Sequence, residues 1–300
     1  MKKYIIYVSS IFLFIPLSLF AQSSEERLPI IDMHLHAHPL GDMPAREPLT
    51  GLLAPETTEQ VKLDSIAALK KNNIVLAVTS GTKVHEYAAL APDRIIKGCS
   101  FFGMEKIAEI RQLIKEKKCE ILSESGPQYA GFAPDNPKLD PYFSLAEELD
   151  VPIGLHMGLG PPGAAYMGMT KYRMSNSNPL LLEDVLIKHP KLRLYVAHAG
   201  WPMLDEMIGL LYAHPQVYVD ISVIDWVLPQ KEFYHYLKRM VNAGFGKRIM
   251  YGSDQMIWPD SIEKSIAAIT EAPFLSESEK RDILYNNAAR FLRLDDKIVQ

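Results

Sequence analysis

Short apolar runs alternate with stretches of helical periodicity from residue 30 to residue 292. The first run is Ile30-Ile31-Asp32-Met33-His34-Leu35-His36. Strands are then predicted over 73–78, 94–101, 119–124, 151–156, 192–198, 217–221 and 248–252. The spacing predicts helices over 57–72, 83–91, 104–117, 140–149, 178–189, 202–213 and 230–242, with two closing helices over 260–271 and 276–292. Buried strands that each hand over to a helix demand a parallel sheet covered by helices. Eight such pairs close into a (β/α)8 TIM barrel, an α/β fold built here as a single domain over 22–300. An open doubly wound sheet is the competing arrangement, but no glycine-rich phosphate turn follows the first strand.

The unusual polar residues fall at one end of those strands. His34 and His36 end the first, and in extended backbone alternate side chains share a side, so two imidazoles can reach one cation. His38 shares the alternation, but Pro39 breaks the strand there. Glu124 ends the fourth strand, His156 the fifth and His198 the sixth, while Asp254 follows the eighth. In a barrel these ends converge on the face that carries active sites. Singly, each has an ordinary reading. His156 and His198 could be core histidines bonded to backbone, Asp254 a helix cap, and Glu124 an ion-pair partner. Together at one mouth they form a set capable of holding a metal. His85, His189, His214 and His235 lie on helices or loops and read as surface residues.

The chain opens Met1-Lys2-Lys3, then runs uncharged from Tyr4 to Ala21. That pattern is expected to be a secretory leader over 1–21, cleaved after Ala21, placing the mature protein in the periplasm. An uncleaved membrane anchor is the alternative. The formal net charge is −4, and losing Lys2 and Lys3 makes the chain more acidic still. That excludes a basic nucleic-acid interface and leaves a small-molecule substrate, with a second copy of the chain as the one open macromolecular partner. Cys99 and Cys119 are expected to lie at opposite ends of neighbouring strands, too far apart to bridge. Two cysteines also exclude a zinc site built on thiolates.

The wording Ile-Asp-Met-His34-Leu-His36, Ile-Gly-Leu-His156-Met-Gly, Val-Ala-His198-Ala-Gly-Trp-Pro and Tyr-Gly-Ser-Asp254 resembles the amidohydrolase superfamily. Within it, the motifs look most like the amidohydrolase-2 branch of aminocarboxymuconate-semialdehyde decarboxylase and related lactonases. The resemblance covers residues 28–292. It implies one divalent metal ion, zinc first and manganese as the alternative, on His34, His36, His156 and Asp254, with His198 beside it. Many two-metal members carry a carboxylated lysine where this chain has Glu124, so Glu124 is either a second-metal ligand or an outer base.

Such a site fits hydrolysis of a small amide, ester or lactone. Asp254 would take a proton from water, and His198 would steady the developing oxyanion. Non-oxidative decarboxylation of an aromatic or enoic acid at the same metal is the alternative, and a non-catalytic metal-binding barrel the third reading. Candidate substrate contacts are the loop 158–163, Tyr172, Arg173 as a carboxylate clamp, and Trp201 and Trp258 as walls.

Overall fold

Strand β1 (Ile30–His36) forms over the residues its apolar run predicts, and every one of them is buried. The computed structural model describes Met1 and residues 27–294. The leader expected over 1–21 therefore falls, beyond Met1, outside the described residues. Among the described residues, no helix is long and apolar enough to cross a membrane.

Seven further strands follow: β2 (Ile74–Ser80), β3 (Ile95–Cys99), β4 (Ile121–Ser125), β5 (Ile153–His156), β6 (Leu194–Ala197), β7 (Tyr218–Asp220) and β8 (Ile249–Met250). They pair in parallel, in chain order from β1 to β8. Two hydrogen bonds draw the last strand against the first: Met33 N donates to Tyr251 O at 3.0 Å, and Asp254 N to His34 O at 2.6 Å. Asp32 adds a third tie, its Oδ1 accepting from His34 N and Ser253 N at 2.9 Å each. The expected eight-stranded barrel is therefore the fold.

Helices α1 (Thr58–Lys71), α2 (Val84–Leu90), α3 (Ile107–Lys115), α4 (Asp140–Leu149), α5 (Glu183–Lys188), α6 (Leu204–Ala213), α7 (Ile224–Val227), α8 (Gln230–Met240) and α9 (Asp260–Thr270) fill the connections. In α1, Thr57 caps the start by accepting from Gln60 N, Lys70 and Lys71 occupy the last turn, and Val61, Ile66 and Leu69 face inward. These devices satisfy orphan backbone donors and complement the helix dipole. The segment 178–189 is not one helix, because Pro179 opens a 3-10 turn over Pro179–Leu182 before α5 begins. The stretch expected as one helix over 276–292 is α10 (Glu277–Arg281), a π turn over Asp282–Asn286 and α11 (Asn287–Leu292). The widened turn accompanies Asn287 Nδ2 reaching Gly246 O and Ile249 O. Tyr285, Ala288 and Phe291 from this segment pack with Ile31, Met33, Tyr195 and Met250.

One close approach inside the sheet fixes a glycine. A Cβ on Gly154 of β5 would lie 2.2 Å from Tyr195 Cζ of β6. The phenol so accommodated meets Ser123 Oγ at 2.7 Å and donates to Met33 O at 3.1 Å.

Cys99 and Cys119 form a disulfide, with Cα atoms 5.5 Å apart, against the expectation of two separate thiols. The stagger of the barrel explains the difference. Gly98, next to last in β3, pairs with Ile121, the first residue of β4. The entrance to β4 thus meets the exit of β3, whereas equal strand registers would set them apart. A crosslink closing 20 residues is worth about 3 kcal/mol in the chain-entropy model. Reduction, or Cys119→Ala, should lower unfolding stability by about that amount in urea titrations. Identical midpoints with and without reductant would show that the bond is not formed.

Candidate metal centre

β1 delivers His34 and His36 to the barrel mouth with their Nε2 atoms 3.2 Å apart. Each ring is held from behind. His34 Nδ1 lies 3.1 Å from Asp220 Oδ2 and 2.9 Å from Ser222 Oγ. Ser222 Oγ donates to Asp220 Oδ1 at 2.5 Å, so His34 Nδ1 must carry a hydrogen, and in the neutral ring its Nε2 is a bare lone pair. His36 Nδ1 rests on Ser80 Oγ at 3.1 Å. Gly252 lets the last strand approach, since a Cβ there would meet His34 Cβ at 2.8 Å.

Glu124, at the end of β4, reaches into the middle. Its Oε2 lies 3.5 Å from both His34 Nε2 and His36 Nε2. Its Oε1 contacts His156 Nδ1 and lies 3.0 Å from His198 Nε2. His198 Nδ1 faces the Ser222 carbonyl at 3.0 Å, and His156 Nε2 faces the Leu159 carbonyl at 2.6 Å. Carbonyls only accept, so those two nitrogens hold hydrogens. In the neutral rings His198 Nε2 and His156 Nδ1, 3.2 Å apart, are then also bare lone pairs. Asp254 completes the ring with Oδ1 3.1 Å from His36 Nε2 and 3.9 Å from His34 Nε2. That oxygen is buried and finds no donor in hydrogen-bonding geometry.

Lone pairs therefore converge at two places that share one carboxylate. His34 Nε2, His36 Nε2, Glu124 Oε2 and Asp254 Oδ1 make one; Glu124 Oε1, His156 Nδ1 and His198 Nε2 make the other. Neutral imidazoles offer no hydrogen to either convergence. Added protons or a cation would reconcile such acceptors in a buried space. Imidazole and carboxylate in this number suit zinc or manganese. The residues present thus fit a divalent metal.

The expected residues come together only in part. His34, His36 and Asp254 share one convergence, with Glu124 as a full partner. His156 stands with His198 on the opposite oxygen of Glu124. Tyr172 is buried in the loop after β5, its hydroxyl donating to Gly158 O at 3.2 Å. Arg173 is exposed, and its guanidinium binds carbonyls of its own loop, Thr170 O at 2.9 Å and Tyr172 O at 2.7 Å. Trp201 directs Nε1 toward Glu232 at 3.2 Å, and Trp258 lies buried with Nε1 on Ala45 O at 3.3 Å. His189 is no surface residue: it is 5 % exposed, with its ring nitrogens 3.0 Å from Asp140 and 3.3 Å from Glu147. It fastens the end of α5 to α4.

Sequence reasoning passed over Asp220, Ser222, Ser80 and Tyr129. Asp220 carried a readable signal, an acid ending the apolar run of β7 at the same end as the histidines. Besides His34, it holds the His198 backbone N at 3.0 Å. Ser80, Ser222 and Tyr129 carried none, because nothing distinguishes them from loop residues before the strands are set side by side.

The electrostatics follow from the packing. Burial pulls the His36 imidazole down, but Asp254 and Glu124 more than offset it and lift its pKa to about 9. His34 and His198 are likewise raised by the carboxylates around them against the effect of burial. Burial pushes Glu124 up, yet the imidazoles of His156 and His34 hold it well below its usual value. Asp32 is lifted to about 6, chiefly by burial.

The described barrel is similar to several solved structures. A probable 2-pyrone-4,6-dicarboxylic acid hydrolase from Acinetobacter baumannii is 18% identical with a TM-score of 0.64, covering 89% of this chain and 100% of its own. A 5-carboxyvanillate decarboxylase from Novosphingobium aromaticivorans with bound manganese is 15% identical, TM-score 0.61, covering 89% and 97%. An uncharacterized TIM-barrel protein from Bordetella bronchiseptica is 18% identical, TM-score 0.64, covering 89% and 99%. At these identities the likeness is one of fold. The sequence itself decides the family: the model described as Amidohydrolase matches residues 31–294. The chain is an amidohydrolase family member. Among curated proteins, none matches this amidohydrolase significantly.

A pH dependence follows for the metal-free protein. A histidine whose folded pKa is raised contributes stability that is complete below its unfolded value, here 6.5, and is lost as pH rises through about 9. The melting temperature of the metal-stripped amidohydrolase should therefore fall between those two pH values. The metal-loaded protein, whose imidazoles are already deprotonated, should show no such fall. Equal profiles for the two forms would count against the convergent carboxylates as the cause.

Proposed function

We propose that this amidohydrolase is a metal-dependent hydrolase of a small ester, lactone or amide. The observation that carries the reading is the pair of lone-pair convergences sharing Glu124 at the mouth of the barrel. His34, His36, Asp254 and one oxygen of Glu124 would hold the cation, with zinc or manganese as the candidates. His156, His198 and the other oxygen of Glu124 form the neighbouring place for a second. When bound, the ion would supply Lewis acidity and bring the pKa of a water to about 7.

The chain's own groups do the rest. Asp254 Oδ1, buried and without a donor, is placed to accept a proton from water and return it to a leaving group. Glu124, with a side-chain exposure of 15 %, is the carboxylate of the set most open to solvent. Asp220 and the Ser222 carbonyl keep the histidine Nδ1 atoms protonated, which leaves the Nε2 atoms of His34 and His198 as acceptors toward the mouth. Such tautomer control from the outer partners is a common device of metal sites.

Decarboxylation is the second reading, and the relatives favour it as much as hydrolysis: one solved neighbour is a probable hydrolase and another a manganese-bound decarboxylase. Hydrolysis is preferred here on location. The leader-like opening and the Cys99–Cys119 disulfide both suit an oxidising compartment, where esters, amides and lactones are the more plausible substrates. We accordingly place the mature protein in the periplasm. N-terminal sequencing of protein from the periplasmic fraction should begin at Gln22; full-length chain in the membrane fraction would support an anchor instead.

Metal content measured by plasma mass spectrometry tests the centre, and a panel of lactones, esters, amides and aromatic acids tests the chemistry. One to two equivalents are expected, abolished in His36→Ala. Asp254→Asn should retain the fold but lower turnover by about 10²–10⁴-fold. Release of carbon dioxide from an aromatic acid, with no hydrolysis across the panel, would replace this reading with decarboxylation.

A further inference from the structure

The loop after β4 places Tyr129 one imidazole away from Glu124. Its hydroxyl oxygen lies 3.2 Å from His156 Nε2, while Nδ1 of the same ring touches Glu124. The phenol ring stacks on Tyr172, with centroids 5.3 Å apart at 24°, and meets the His156 ring edge-on at 5.0 Å. Tyr172 is itself tied through its hydroxyl to Gly158 O. The position of the Tyr129 hydroxyl is thus set from two sides. Gly126 belongs to the same fitting, since a Cβ there would meet Tyr129 Cδ2 at 2.8 Å.

The hydrogen count at His156 decides what that hydroxyl can do. Nε2 lies 2.6 Å from the Leu159 carbonyl, so the ring's Nε2 hydrogen points there. A nitrogen that carries a hydrogen has no lone pair to offer a phenol. The Tyr129 oxygen can share in accepting from Nε2, but its own O–H finds no acceptor on His156. No other hydrogen-bond partner of this hydroxyl is among the described contacts. The result is a donor with an unspent hydrogen, fixed beside a buried set of acceptors. Unspent donors at such a place are what bind the oxygen of an incoming carbonyl or carboxylate.

We propose that the Tyr129 hydroxyl donates to the substrate's carbonyl or carboxylate oxygen and is a catalytic residue of this site. The inference rests on the metal-centre reading above and adds to it the group that selects a ligand with an acceptor oxygen next to the one facing the cation. It also assigns a separate job to Tyr172, which holds the donor's ring in place.

Acetohydroxamate, which presents two adjacent oxygens to a metal, is a suitable probe. Its affinity for the cobalt-loaded protein is read from the visible absorption of the ion, for wild type and Tyr129→Phe, alongside cobalt content and melting temperature. The variant keeps the ring and its stacking. It should hold cobalt and melt as wild type does, yet bind hydroxamate about tenfold or more weakly, the scale expected for a lost hydrogen bond to a charged acceptor. Equal hydroxamate affinity in the two proteins would overturn the assignment of Tyr129 alone. A variant that loses cobalt would overturn it too, by making the hydroxyl a support for His156. Wild-type protein that takes up no cobalt would overturn the metal-centre reading itself, and this inference with it.

Discussion

A single carboxylate set among four imidazoles is the interaction on which the mouth of this barrel depends. Glu124 Oε2 faces His34 and His36, and Oε1 faces His156 and His198. Burying such a charge is costly unless it is paired on every side, and here three strands bring the partners. β1 supplies two rings, β5 and β6 one each, and β4 the acid. The outward partners are shared as well: Asp220 serves the His34 ring and the His198 backbone, and Ser222 touches both rings.

Much of this was legible before the strands were assembled. The alternation of apolar runs and helices specifies a barrel because burial on both faces leaves few other homes for eight parallel strands. The barrel then tells which strand ends meet, so His34, His36, Glu124, His156, His198 and Asp254 could be gathered on one face from the sequence. What could not be read is lateral offset. Strand order does not state register, so the meeting of Cys99 with Cys119 across the staggered β3–β4 pair went unseen. The same ignorance of offset hid which oxygen of Glu124 each histidine faces, and so the division of the ligands into two groups. Tyr129 and Ser80 were invisible for a plainer reason: a hydroxyl in a loop has no signature until something stands beside it. His189 misled in the other direction, since a histidine before a proline at a helix end looks exposed until Asp140 and Glu147 are seen around it.

The solved neighbours share the barrel at 15–18% identity, which separates two layers of constraint. The strands hold the acceptors and are answerable to one another through close contacts. The loops carry the aromatic groups that flank the mouth. In this chain the loop after β5 turns its one guanidinium, Arg173, onto its own carbonyls, and its Tyr172, tied to Gly158, stacks on Tyr129 of the loop after β4, whose hydroxyl rests on His156. That loop therefore offers the mouth aromatic surface, while its guanidinium is already spent on backbone carbonyls.

The approach of Gly154 to Tyr195 has a bearing on descent. One phenol spans from β6 to Ser123 on β4 and to Met33 on β1, directly next to the residues in sequence that carry Glu124 and His34. It fits only because residue 154 has no side chain. Any methyl added at 154 evicts the ring, and any smaller residue at 195 leaves Ser123 without its phenol partner. The two sites are inherited as one character: a lineage can cross to another pairing only by changing both, so kin that keep this arrangement of the mouth should show them changing together.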